Sequence, residues 1–527
     1  MYIASAGRLS LPQADESASV NLTSGREARP TRMTRVPEAE PRPRRISHNR
    51  LVLRVCLMLT LLAPAAAGDW PRFRGENGSG VAPDGALPSE LHPERTLAWK
   101  TGTVPGNSSP IVVAGRVLFT GHQGDERLLL CLDASTGREL WRRGFTRTRT
   151  EGAHPLNGPT TPTPVTDSES VYAFFPEFGL IAWDLAGNER WRAPMGPFPS
   201  SIQGIASSPV YAGGVVAMLI DTTEESYLAA YDAASGKLAW KAQRGTNFLG
   251  GYSTPAVYKP SSGPLQIVVA ASTELTGYQA STGERLWWAP VSFAPAAMPL
   301  VAGDHVFTVE PAGGGAPPFT GMLKQFDRNN NGAIEREETA GSDVNSQIMA
   351  RLFRSIDRSV GNGDGIVNAE EYNKSFHVER SAGGLVRTRL GGSGDVSQSH
   401  VGWRHTKGLP YTTAPLLYQG VLYLVRDGGI LTCFEPESGK VLREERMKDA
   451  PGAYYASPVA GDGKVYLVSH AGKATVLSAA ADAKWEIVSQ HDFDEPVVAT
   501  PAIAGGRIFL RTAKALYAFG TREPAGR

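Results

Sequence analysis

Cysteine is scarce in this sequence: only Cys56, Cys131 and Cys433 among 527 residues. So few rule out a disulfide framework. Cys131 and Cys433 sit in matching settings, LLLCLD and ILTCFE, far apart in the chain. Equivalent places in distant units are too far apart for a bridge, so both are expected to be buried free thiols acting as small apolar residues. An excess of one charge is also missing. Lys and Arg total 53 against 52 Asp and Glu, for a net charge of +1, and no basic stripe runs through the chain. Nucleic acid is therefore not an expected partner.

Long apolar runs are absent too. VCLMLTLLA is too short to span a bilayer comfortably. Arg44, Arg45 and Arg50 precede it and Ala65-Ala66-Ala67 follow. That order of basic flank, short apolar core and small-residue site is a secretory signal, with a membrane anchor as the alternative. Residues 1–67 thus read as a disordered leader plus signal, cleaved near Ala67, with Met33 an alternative start. The mature chain would begin at Gly68 and be periplasmic or secreted, without stable membrane insertion. Cys56 lies inside the apolar core, which argues against a lipid anchor.

What the chain does have is repetition. DASTGRELW ends at Trp141 and returns as DLAGNERW at Trp191, DAASGKLAW at Trp240 and QASTGERLW at Trp287, fading to EPESGKVLR at Arg443. Each holds a polar turn, a Gly, and an aromatic four residues on. Asp, Ser or Thr bonds its own backbone there, and Gly takes the left-handed conformation. This repetition marks Asp133, Asp184 and Asp232 as turn formers rather than catalytic acids. Alternating apolar runs upstream read as half-buried strands. An all-β unit that cannot bury its faces alone predicts a propeller blade.

Prolines count the blades. Pro110, Pro164, Pro209, Pro255, Pro299, Pro415, Pro458 and Pro501 each open an apolar strand, six of them after Ser or Thr. The spacing is about 43–54 residues, near a four-stranded blade, except for one gap that is roughly 70 residues too long. The expectation is all-β: an eight-bladed propeller with an inserted helical EF-hand pair in blade five. Residues 68–96 form an N-terminal surface segment. Residues 97–310 hold blades one to five in their first part, together with the strand of Trp99 that closes blade eight. The insertion takes 311–385, and 386–520 complete blades five to eight.

In the insertion, Phe319, Met322, Leu323 and Phe326 fall at helical spacing before DRNNNGAIEREE. This matches a twelve-residue calcium loop. Asp327, Asn329 and Asn331 stand at positions one, three and five, Gly332 at the sharp turn, Ala333 offers its carbonyl, Glu335 acts through water and Glu338 binds bidentately. A second helix carries Ile348, Leu352, Phe353 and Ile356 into DRSVGNGDGIVNAEEY. There Asp357 lies about three residues too early for a standard loop. Asp357, Asn362, Asp364, the Ile366 carbonyl and Glu371 are the candidate ligands of an expanded loop. Ile334 and Val367 are expected to pair in a short ribbon between four helices, with Tyr372 and Phe376 opening the last. His122, His154, His400, His405 and His470 lack metal-ligand spacing. Arg404, His405 and Lys407 are candidates to face a pocket at the ring's mouth.

The DASTGRELW repeat with its small-residue–Pro strand starts resembles the quinoprotein-type (PQQ-like) propeller repeat, and DWPRFRG with the calcium-loop insertion resembles secreted bacterial members of that family. The resemblance implies two known roles, pyrroloquinoline-quinone-dependent alcohol dehydrogenase and non-catalytic outer-membrane assembly scaffold. The dehydrogenases use adjacent cysteines and a calcium in the funnel. This chain has no adjacent Cys pair, and its calcium loops lie in the insertion, so the quinone is not expected. The scaffold is lipid-anchored and lacks an EF-hand. The expectation is a calcium-binding secreted or periplasmic propeller, a binding or scaffold module with no catalytic residue assigned. Its partner would be a protein or small molecule at the propeller face. The alternative is a quinone-dependent oxidoreductase.

Overall fold

The computed structural model describes residues 68–520, except positions 84, 155, 199–203, 223–224, 245–250, 272, 292–295, 311–317, 342–343 and 376–382. The leader, signal and Cys56, together with Phe376 and the side chain of Ile348, lie outside the described residues. Eight sheets of four strands or more follow one another along the chain. Blade 1 is typical: Ile111–Val113, Arg116–Gln123, Glu126–Asp133 and Glu139–Thr146, each antiparallel to the next. Its inner strands are buried almost throughout, as is Ser170–Phe175 of blade 2. Both faces of such strands pack on other blades, so near-continuous apolar runs are needed there. Glu139–Thr146 alternates between half-buried and exposed because it borders solvent. Cys131 and Cys433 are buried and free, and burial pushes each thiol up to about 12.

Blade 8 joins the two ends of the ring. Ala502–Ala504, Arg507–Arg511 and Ala515–Phe519 supply three strands, and Leu97–Gly102 pairs antiparallel with the last of them. Blade 5 is interrupted between His305–Glu310 and Gly384–Arg389, and Val401–His405 is its outer strand. A later excursion of blade 5, Gly394–Asp395, pairs parallel with Arg285–Pro290 and makes blade 4 five-stranded. Nothing in the repeat pattern foretold that strand.

The recurring Gly and Trp lock neighbouring blades together. The indole nitrogens of Trp99, Trp141, Trp191, Trp240 and Trp403 donate to the carbonyls of Ala134, Leu185, Ala233, Ala280 and Pro436 in the next blade, at 2.8–3.1 Å. The turn glycine of that blade lies flat on the ring. At Gly236, with φ of 71°, a Cβ would stand 2.5 Å from Trp191. Trp287 departs from this pattern and donates to Gln266 in its own blade. Blade 5 has no DASTG turn to receive it. In blade 7, Trp485 lies just ahead of the outer strand Ile487–Asp492. Its carbonyl accepts from Arg443 of blade 6, whose guanidinium lies 4.0 Å from the indole centroid.

The insertion folds around its own small core. Three helices are described: α1 (Phe319–Phe326), α2 (Val344–Ser359) and α3 (Ala369–Ser375). Apolar residues at i, i+3 and i+7 give α1 one buried face, Phe319, Met322 and Phe326. These pack with Leu352, Phe353, Ile356 and Tyr372. Ile334 pairs with Val367 in a two-residue ribbon. Among the described residues the fourth expected helix is a single 3-10 turn, Arg336–Thr339, held by a capping box between Glu335 and Glu338. Its brevity follows from sequence: Gly341 arrives too soon for a longer helix.

Candidate functional site

The two polar loops of the insertion are wound by their own side chains. In the first, Asp327 accepts from the N–H groups of Asn331 (3.1 Å) and Gly332 (3.0 Å), and Asn329 accepts from Asn331. Asn331 accepts from Ala333 and donates to Glu335. Glu338 folds back to accept from Arg328, Asn329 and Glu335. In the second, Asp357 accepts from Gly365 N–H at 3.1 Å, Asn362 bonds Asp364, and Asp364 accepts from Ile366. Glu371 accepts from Asn368. The carboxylate-to-glycine contact thus spans five residues in the first loop and eight in the second. Asp357 is 7% exposed, and its Oδ1 has no partner. Among the described residues no three His, Cys, Asp or Glu side chains form a group able to hold a metal ion. Asn329, Asn331 and backbone carbonyls make up much of the oxygen set.

A second site lies where the eight blades meet. The hydroxyl residue ahead of each blade's first proline accepts a hydrogen bond from its counterpart one blade earlier. Ser109 N–H donates to Thr163, Thr163 to Ser208, and Ser208 to Thr254, at 2.9–3.1 Å. Ala414 donates to Ser457, Ser457 to Thr500, and Thr500 back to Ser109. Met298 and Ala414 have no hydroxyl to offer, so the ring is broken at blades 5 and 6. Proline supplies no N–H, which leaves the preceding residue to make this link.

The segment after Gly68, expected on the surface, bonds across the inner strands of several blades and buries Trp70, Arg72 and Arg74. Trp70 exchanges two backbone bonds with Val112, and Pro71 accepts from Thr166. Arg72 donates to the Pro255 carbonyl and Arg74 to that of Pro415. Asn77 bonds both backbone groups of Val257, and Gly80 and Ala82 bond Ala460. Gly78 lies so close to Met298 that a Cβ would fall 2.0 Å from its methyl, just where the ring is broken. Trp70 and Arg74 are fully buried, and burial pushes the Arg74 guanidinium down to about 9.

This strap closes a central cavity of about 480 Å³, with Phe73 in its wall. The ring hydroxyls Ser109, Thr163, Ser208, Thr254 and Thr500 line it, and Tyr252, Tyr411 and Tyr455 stand around it. Among the described residues of the lining Asp427 is the one carboxylate, its Oδ1 accepting from Tyr454 N–H at 2.8 Å, and there is no Lys or Arg.

The residues singled out from sequence are distributed differently. His154 lines the cavity, while His470 stacks edge-on against Tyr455. His122 bonds Thr160, and His405 packs on Phe434. Burial lowers the pKa of His122 and His400. Arg404 pairs with Glu310, and neither it nor Lys407 lines the cavity. Asp133 is a turn former: Ser135 and Thr136 donate to it and hold its carboxyl down at about 2. The hydroxyl ring went unrecognised in sequence, where Ser/Thr-Pro read only as a strand start.

Residues 96–223, 224–330 and 429–524, more than half of the chain, match the PQQ_2 family model, described as outer membrane protein assembly factor BamB. The chain belongs to the PQQ_2 family. No curated protein matches it. This PQQ_2 chain is similar to the quinohemoprotein alcohol dehydrogenase ADHIIG from Pseudomonas putida HK5, at 14% identity and a TM-score of 0.52, over 87% of this chain and 82% of that one. A europium-containing methanol dehydrogenase gives 10% identity and a TM-score of 0.52, over 86% and 98%. BamB from Moraxella catarrhalis gives 11% and 0.48, over 82% and 100%. At these identities the likeness is one of fold. The gap between the second and third matched stretches holds most of the insertion and the rest of blade 5. No helix among the described residues is long and apolar enough to cross a membrane.

Proposed function

We propose that this PQQ_2 chain is an exported, calcium-binding propeller that acts as a binding or scaffold module. The observation that carries the reading is the chemistry of the central cavity. Pyrroloquinoline quinone is a tricarboxylate, and burying three carboxylates calls for cations in contact, since neutral hydroxyl donors alone leave the charge uncompensated. The described residues of the lining include no ammonium or guanidinium, and Asp427 adds a negative charge. The residues present do not fit the quinone. The family description, an assembly factor, favours a protein partner for the propeller face.

Calcium in the insertion is supported by the unpartnered Oδ1 of Asp357, an oxygen sealed from water that a cation would satisfy. The ligands of the first loop would be Asp327, Asn329, Asn331, the Ala333 carbonyl, Glu335 and Glu338. Those of the second would be Asp357, Asn362, Asp364, the Ile366 carbonyl and Glu371. Few carboxylates make for a weak site, near the 10⁻⁴–10⁻³ M range of extracellular modules. The basic flank and Ala65-Ala66-Ala67 support export with cleavage near Ala67.

The test is to titrate the quinone with calcium into the purified protein, following Trp fluorescence and alcohol oxidation. No saturable binding is expected. Micromolar binding together with turnover would establish the oxidoreductase reading instead.

A further inference from the structure

We infer that the central cavity is a binding site for an uncharged sugar. The inference rests on the binding-module reading above and names the ligand class for it. Each of the five ring hydroxyls uses a lone pair to accept a neighbouring blade's N–H: Thr500 to Ser109, Ser109 to Thr163, Thr163 to Ser208, Ser208 to Thr254, and Ser457 to Thr500. The hydroxyl protons are left to donate. Donors arranged around an axis, each with one lone pair already used, suit a ligand rich in oxygen atoms, and the lack of a cation in the described lining favours neutral ones.

Four further observations agree. Tyr252, Tyr411 and Tyr455 stand in the wall, and Tyr411 is 64% exposed, an aromatic left open to solvent. Aromatic rings offer an apolar face to the C–H side of a sugar, and their hydroxyls offer polar contacts. Asp427 retains acceptor capacity for a sugar hydroxyl and repels anions. Thr161 lines the cavity, yet its Oγ1 is sealed and has no partner. Turning about χ1 to reach a ligand would break no hydrogen bond. The volume, about 480 Å³, is in the range of small-molecule sites.

The experiment uses the exported chain and four probes: glucose, N-acetylglucosamine, maltose and chitobiose. Saturation-transfer-difference NMR detects binding, and calorimetry measures it. At least one sugar is expected to bind with a Kd of about 1 mM or tighter. Thr161→Val keeps the side-chain shape and loses no intramolecular bond, so its melting temperature should match that of the parent while sugar affinity falls about tenfold. Tyr411→Ala, at an exposed position, should do likewise. Silence from all four sugars, or unchanged affinity in both variants, overturns the proposal and leaves the scaffold reading standing. Tighter binding of citrate than of any sugar overturns the uncharged class. Quinone binding with alcohol oxidation would remove the binding-module reading itself.

Discussion

Blades 1 to 4 and blades 5 to 7 are built to one plan, and the second set keeps fewer of its contacts. On the first side every hydroxyl of the ring is present, from Ser109 to Thr254, and Trp99, Trp141, Trp191 and Trp240 each dock under a glycine of the next blade. From the border of blades 4 and 5 onward, Met298 and Ala414 interrupt the ring, Trp287 of blade 4 bonds within its own blade and Arg443 of blade 6 stands where an indole would, while Trp403 of blade 5 keeps its dock on blade 6. The strap is anchored across both sides, with Trp70 on blade 1 and Ala82 on blade 7, and it bridges that defect through Arg72 on blade 4, Gly78 against Met298 and Arg74 on blade 6. Where the repeat contacts are lost, a segment from elsewhere bridges the blades. The side that lost them is also the side that accepted an insertion.

The sharpest way to break the regular side is Gly236→Ala. It forces a left-handed alanine and drives a Cβ into Trp191, for a loss of about 3 kcal/mol in chemical denaturation. Gly115→Ala has a similar φ of 72° and open space, and should cost only about 1 kcal/mol. Equal losses would mean that the repeat glycines serve backbone conformation alone and not docking.

Ser208→Ala strips one hydroxyl from the intact ring and leaves the Thr163 N–H without its acceptor, a loss of about 1–3 kcal/mol. A neutral result would show that blade contacts carry closure unaided. The smallest expected effect on the ring concerns the insertion. Glu338→Gln should abolish calcium binding at the first loop in calorimetry and move the propeller's thermal transition by less than about 0.5 kcal/mol. Loss of the β signal on chelation would instead make the insertion a clamp on blade 5.

The repeated features were legible because their partners recur at one fixed distance along the chain. The Gly–Trp spacing and the small-residue–Pro starts both mark blade borders, and the helical spacing of Phe319, Met322 and Phe326 announced the buried face of α1. The strap was not legible as core. Asn77 meets Val257 and Arg74 meets Pro415 across 180 and 341 residues, and nothing local in DWPRFRG announces those contacts. The hydroxyl ring was hidden for another reason. Ser or Thr before Pro is so ordinary at a strand start that its second use, accepting from the preceding blade, leaves no mark of its own. Trp287 carries the full motif and behaves otherwise, since docking depends on the receiving turn as much as on the indole.

The seam in blade 8 also sets an order in time. Leu97–Gly102 is made early, and Ala515–Phe519, the strand it must lie beside, about four hundred residues later. At about 5–20 residues per second this is a wait of tens of seconds. Throughout it, the first-made strand has an open edge and the strap has no finished axis to enter. Closure over so long a loop is slow, because its entropy must be spent before the contact rewards it. A chain released a few residues short would keep seven blades and still fail to shut.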